Sequence, residues 1–194
     1  MIIAIDLDEI LADTTSAVIR YHNDTFGTSY RIADFHSNEW WKVWGGTREQ
    51  SVQKFFDFAN TPYFHQVEPV IGAREAVSEL TKNHTLHIVT SRQIVLEVQT
   101  KKWVDTNFPG IFQGIHLTNH AQWALSGKTQ TKHEVCIEHG AELLIEDSLL
   151  YAQECCDAIP VLLLDYPWNQ GTLPPNTTRV YSWEEIVKRV DLSV

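Results

Sequence analysis

The chain has 194 residues, 43% of them hydrophobic and 21% charged. That leaves material for a sizeable core and excludes a disordered or fibrous protein. Fifteen basic against twenty-five acidic residues give a net charge of −10, which repels a DNA or RNA backbone and attracts cations, so no nucleic-acid polymer is expected as a partner.

The first predicted element is the apolar run Ile2–Ile5, which enters Asp6, Asp8, Glu9 and Asp13 directly. A helix is expected from Thr14 toward Gly27, with Asp13 as its cap. Residues 22–68 exceed what a crossover needs and hold Trp40, Trp41 and Trp44, a capping-box helix from Thr47, and the break at Thr61-Pro62. They are read as an inserted helical cap, with 1–21 and 69–194 forming the core. A helix over 72–82 then leads to the strand Leu86–Thr90, a helix over 92–106 to a weaker strand at 114–118, and a helix over Thr131–His139, closed by Gly140, to Leu143–Glu146. The run Val161–Leu164, a late edge strand near 179–182 and a helix opened by Ser182 complete the chain. Continuous apolar strands alternating with helices predict a doubly wound, Rossmann-like parallel sheet.

In such sheets ligands bind beyond the carboxyl ends of the strands. The first strand ends on Asp6-Leu7-Asp8, the second on Thr90-Ser91-Arg92 and the fourth on Glu146-Asp147. Hard carboxylate oxygens gathered on one rim suit octahedral Mg2+. The hydroxyls and backbone N–H groups of Thr90 and Ser91 suit a phosphate. A lysine at a helix start would balance the charge, and GKTQTKHEVC offers both Lys128 and Lys132; Thr131 as N-cap favours Lys132, in the first turn.

These segments, in this order, resemble the four motifs of the haloacid dehalogenase superfamily of phosphohydrolases, over the whole chain. DLDxxLADT, PVxGAxEAVxxL and VTSR together look most like its 5′(3′)-deoxyribonucleotidase branch. The resemblance implies a Mg2+-dependent phosphomonoesterase acting on a small phosphorylated metabolite, a nucleoside monophosphate first among the candidates. It implies Asp6 as nucleophile and Asp8 as general acid and base, with Thr90 and Ser91 on the phosphoryl oxygens and Lys128 or Lys132 as the motif lysine. Asp6, the main-chain carbonyl of Asp8, and Asp147 would be the metal ligands, with Glu146 direct or through water. Glu9 departs from the family pattern, which often has glycine there. It restricts substrate size or faces solvent.

Two other classes remain open on the sequence. A phospho-acceptor signalling module shares the acid-rich strand ends, although the long insertion and Asp8 count against it. A phosphotransferase or mutase would use the same residues. Arg92, Trp41 and Trp44 are further substrate-binding candidates; Ser91 and Arg92 also suit a helix cap, the tryptophans the core of the insertion, and Trp168 a place at the pocket. His84-x-x-His87 and His116-x-x-x-His120 lack a metalloprotease pattern and are read as structural or surface residues. Cys136, Cys155 and Cys156 contain no CxxC pair, and the first apolar run is too short for a secretory leader, which favours a reduced cytoplasmic setting. No run of about 18 apolar residues offers a membrane span. A homodimer is compatible with this composition.

Overall fold

The structure is a computed structural model that describes residues 1–124 and 126–192. Six strands, β1 (Ile2–Ile5), β2 (Thr85–Thr90), β3 (Gly114–Leu117), β4 (Leu143–Glu146), β5 (Val161–Leu164) and β6 (Thr177–Val180), form one sheet. The order is β3-β2-β1-β4-β5-β6 and every pairing is parallel. β4 and β5 are buried along their whole length, which is why they read as continuous apolar runs rather than alternations, with β4 turning polar only at its last residue, Glu146. The late edge strand lies at Thr177–Val180, two residues before the expected start.

Nine helices accompany the sheet among the described residues: α1 (Thr14–Phe26), α2 (Trp41–Trp44), α3 (Arg48–Ala59), α4 (Pro62–His65), α5 (Ala73–Leu80), α6 (Glu97–Asn107), α7 (Lys132–Glu138), α8 (Leu149–Cys155) and α9 (Trp183–Asp191). Local chemistry sets several of their ends. Asp13 accepts from the Ser16 N–H and opens α1, and Gly27 closes it in the left-handed region at φ 65°. Thr47 and Gln50, and Thr131 and Glu134, form reciprocal capping boxes at α3 and α7. The helix expected over 92–106 is divided, because Ile94–Leu96 form a 3-10 turn before α6 begins at Glu97. Ser91 and Arg92 therefore do not cap it, and α6 has no side-chain cap at all.

Strand order reverses between β1 and β4, and Asp6 sits on that seam, its N–H bonded to Ile145 O at 3.0 Å. After β1 the chain folds back tightly, Leu11 N and Ala12 N both donating to Leu7 O. The stems of the 22–68 segment then meet: Asp13 N donates to Glu68 O, Val70 N to Leu11 O, and the buried Trp103 indole to Val67 O. Within the segment α4 packs on α3, and it also packs on α1, the helix that leads into the segment. Its interior is aromatic, with Phe35 and Phe58 fully buried and Phe58 5.5 Å from Phe64 at a steep angle.

Candidate active site

The carboxyl ends of β1, β2 and β4 deliver their polar residues into one cavity of about 100 Å³. Asp6, Asp8, Ser91 and Asp147 line its polar side. Trp40, Phe55, Trp123 and Trp168 line its aromatic side.

Asp6 is 4% exposed. Lys132 Nζ lies 2.8 Å from its Oδ1 and 2.6 Å from Glu146 Oε2, and rests 4.4 Å over the Tyr151 ring. Lys132 is fully buried. Burial alone would lower its pKa, but the carboxylates of Asp6 and Glu146 outweigh that and hold it well above the ordinary value. Lys128 lies in the exposed stretch before α7, so of the two candidate lysines the fold brings Lys132 to Asp6. Burial, then the charge of Glu146, raises Asp6 to about 7.

Asp8, two residues on, has the opposite fate. Its Oδ2 accepts from Arg92 Nε at 2.9 Å, and its Oδ1 accepts from Arg92 Nη2 at 2.6 Å and from the Thr14 hydroxyl at 2.5 Å. Burial pushes its pKa up, but the Arg92 guanidinium more than reverses this, and Asp8 stays below the usual carboxylate range. Arg92 is itself buried, bonded to the Thr100 hydroxyl and 5.2 Å from the Phe64 ring centre. It thereby joins the rim to the 22–68 segment.

Glu146 is saturated: one oxygen holds Lys132 and the other accepts from the backbone N–H groups of Asp147 and Ser148. Asp147 is fixed from outside the predicted motifs. The Trp168 indole donates to its Oδ2 at 2.7 Å, and the Asn169 amide donates to its backbone carbonyl at 2.7 Å. Burial, then the charges of Glu146 and Asp6, keeps its pKa well above the usual range. Carboxylate oxygens of Asp6, Glu146 and Asp147 fall within 4.8 Å of one another, and Asp6 Oδ1 has its ion pair but no aligned hydrogen-bond donor. Hard carboxylate oxygens crowded in this way fit a divalent cation such as Mg2+.

Thr90 is fully buried and its hydroxyl accepts from the Arg92 N–H at 3.3 Å. Glu9 is buried at φ 66°, in the left-handed region that favours glycine. One of its oxygens accepts from the Thr15 N–H at 2.7 Å, and its backbone carbonyl accepts from the Tyr166 hydroxyl at 2.8 Å. Of its two alternatives, the solvent-facing one is thus ruled out. Trp41 and Trp44 are not among the cavity-lining residues: Trp44 stacks on His22 at 5.2 Å and Trp41 meets Trp123 edge-on at 5.8 Å. Trp40 and Trp123 reach the cavity instead. Trp168, expected at the pocket, does line it, with Asn169 beside it, whereas Trp123 had no sequence signal, because its position depends on how distant loops dock.

The model of the family "5′ nucleotidase, deoxy (Pyrimidine), cytosolic type C protein" matches residues 1–192. "Putative nucleotidase BH1399" of Halalkalibacterium halodurans is 27% identical over 190 residues, spanning 96% of this chain and 91% of its own. Among solved structures, the haloacid dehalogenase-like hydrolase SP0104 from Streptococcus pneumoniae superimposes with a TM-score of 0.71 at 15% identity, over 97% of each chain. YfnB from Bacillus subtilis, described as a HAD-hydrolase bound to magnesium, superimposes at 0.62 and 15% identity, over 98% of each. The chain belongs to the cytosolic type C (deoxy)pyrimidine 5′-nucleotidase family and is a phosphatase-type hydrolase of the haloacid dehalogenase superfamily.

Proposed function

We propose that the protein is a Mg2+-dependent phosphomonoesterase that hydrolyses a (deoxy)nucleoside monophosphate through an aspartyl-phosphate on Asp6. The observation that carries this reading is the convergence of Asp6, Asp8, Asp147 and Lys132 on one buried crevice at the seam of the sheet. The nucleotidase family and the name of the relative support the substrate class, and the magnesium-bound neighbour supports the metal.

In this mechanism a carboxylate oxygen of Asp6 attacks phosphorus in line, and the bond from phosphorus to the ester oxygen breaks. Asp8 protonates the departing alcohol. A water then attacks the phosphorus of the acyl phosphate and gives its proton to Asp8, which frees inorganic phosphate and restores Asp6. Arg92 aims Asp8 through both oxygens. Its low proton affinity suits the base half of the cycle, and the acid half requires that clamp to loosen. Thr90 and Ser91 hold phosphoryl oxygens, while Lys132, set by Glu146, balances their charge. Asp6 and Asp147, with the main-chain carbonyl of Asp8, would hold the Mg2+, whose chemistry when bound is to neutralise developing negative charge.

Residues 22–68 act as a cap over this crevice, joined at the stems near Asp13 and Glu68. Trp40, Trp123 and Trp168 offer flat faces to a nucleobase. The test is phosphate release from a panel of 5′- and 3′-monophosphates and para-nitrophenyl phosphate, with Mg2+ and with EDTA. Turnover should require Mg2+, and Asp6→Asn should lower kcat by at least about 10³-fold. A panel in which nothing is cleaved, or an unaffected Asp6→Asn, ends this reading. Adding alcohols as acceptors separates hydrolysis from transfer.

A further inference from the structure

Three histidines meet far from the acidic rim, and none of them is used by the chemistry above. His87 lies on β2, His116 on the edge strand β3, and His139 is the residue that closes α7. They come from three segments, and the pairings suggested by local spacing are not the ones that form. His84 contacts the chain terminus through its Nδ1, and His120 pairs with Glu154 at 2.9 Å. His87 and His116 face each other instead, His87 Nδ1 lying 3.0 Å from His116 Nε2. The His139 ring stacks on that of His116 with centres 3.8 Å apart.

We propose that His87, His116 and His139 form a second metal site, for a borderline-soft transition ion such as Zn2+. One nitrogen from each ring lies within 4.8 Å of the other two. On a tetrahedral ion with Zn–N of roughly 2.0–2.1 Å, two ligand nitrogens stand about 3.4 Å apart. One pair is already inside that spacing, and the third nitrogen lies within 4.8 Å of both.

The sheet also leaves space for the cluster. In the β2–β3 register Gly114 is the partner of His87, so His116, two residues further, is the diagonal neighbour on the same face. A Cβ at Gly114 would stand 2.6 Å from His116 Nε2 and 3.0 Å from His87 Nδ1. Gly114 does not have a positive φ, so its left-handed freedom is not what the position uses. What it supplies is room where two imidazole nitrogens converge.

Imidazole nitrogens select Zn2+, Co2+, Ni2+ or Cu2+ over Mg2+, which separates this site chemically from the carboxylate cluster. All three rings are half-buried, so an ion has a path from solvent. Burial, then the charge of His139, keeps His116 down at about 4, and the neutral ring is the form that ligates. Glu138 and Lys101 both act on His116, with opposite sign, so the site rests on its nitrogen geometry. An ion here would tie β2, the edge strand β3 and the C-terminal end of α7 together. The opposite end of that helix carries Lys132, roughly 10 Å away at 1.5 Å per residue.

Equilibrium dialysis of the tag-free full chain against Zn2+, with Co2+ absorption as a spectroscopic check, tests the site. Wild-type protein and Asp147→Asn should both bind one ion with the visible bands of nitrogen-ligated Co2+. His116→Ala and His139→Ala should each lose at least about tenfold in affinity, and Gly114→Ala should lose binding by filling the gap. Zn2+ at about a hundredfold excess over its dissociation constant should raise Tm by roughly 5–10 °C in wild type and not in His139→Ala, the least intrusive change. Phosphate release by His139→Ala with Mg2+ should match wild type. Absent Zn2+ binding, or binding equal in all the histidine variants and lost only in Asp147→Asn, overturns the proposal.

Discussion

The rim and the 22–68 segment are organised by different physics. At the rim, Asp6, Asp8, Lys132 and Arg92 are buried or partly buried ions, each fixed by a named partner at 2.5–3.0 Å. The segment is held by rings such as Phe35, Trp40, Trp44, Phe55 and Phe58, which meet at 5–6 Å in steep or tilted pairs. Ring packing is short-ranged and shared among many neighbours, so losing one ring costs stability without redirecting a charge. A buried ion pair is directional, and losing one partner strands the other. Chemistry is therefore concentrated where tolerance is lowest.

The largest expected effect comes from stranding charge. Lys132→Met leaves Asp6 and Glu146 facing each other at low dielectric, and should cost roughly 3–5 kcal/mol in denaturant titration, together with activity. If the variant melts with wild type, the charge balance at the rim has been misassigned. Phe58→Ala should cost a similar 3–5 kcal/mol, by cavity formation. The contrast lies in the rate: kcat per folded molecule should stay within a few-fold of wild type, and a collapse in kcat would show that ring packing does set the chemistry.

A smaller effect is expected at Arg92. Lysine keeps the charge but cannot hold both oxygens of Asp8 in a fork. Arg92→Lys should lower kcat by about tenfold and move the acid limb of the pH–rate profile upward, since Arg92 is what depresses Asp8. An unmoved limb would detach Asp8 from that limb.

The smallest effect concerns pH and metal. Asp6 has an ordinary value of 3.8 and rises to about 7 when folded, with Glu9 and Asp147 also raised. All three groups bind protons more tightly folded than unfolded; the contribution of Asp6 is full below about pH 4 and is lost as pH climbs through about 7. Mg2+ substitutes for those protons. Its Tm increment should be a few degrees larger at about pH 7.5 than at about pH 5, and equal increments would place the ion elsewhere.

The sequence made the rim legible because its residues stand at the ends of apolar runs, where chain position alone dictates location. Asp6, Asp8, Thr90, Glu146 and Asp147 follow from three strand ends, and Thr131 marks the helix start that carries Lys132. The aromatic side of the cavity was legible only in part, at Trp168, which follows a strand end. Trp40 and Trp123 arrive through docking of the segment on the 120–124 loop, where the Arg48 guanidinium donates to the carbonyls of Ala121, Gln122 and Ala124. Such contacts are set by tertiary geometry, and three tryptophans within five residues give no hint of which ring faces inward. Arg92 was placed near the substrate for the same reason. Its fork geometry with Asp8 depends on a separation of 84 residues.

The joined stems of the 22–68 segment bear on how the chain finds this fold. Ile2 pairs with Thr85, so the central strand pair is a contact of high sequence separation, of the kind that slows folding. The backbone bonds from Asp13 to Glu68 and from Val70 to Leu11 divide that separation into a loop sealed at its root and a short remainder. Once the root closes, β1 meets β2 across only the tight turn and α5, and most of the loop entropy has already been spent. A long excursion placed directly after the first strand then delays sheet assembly little more than an ordinary crossover would.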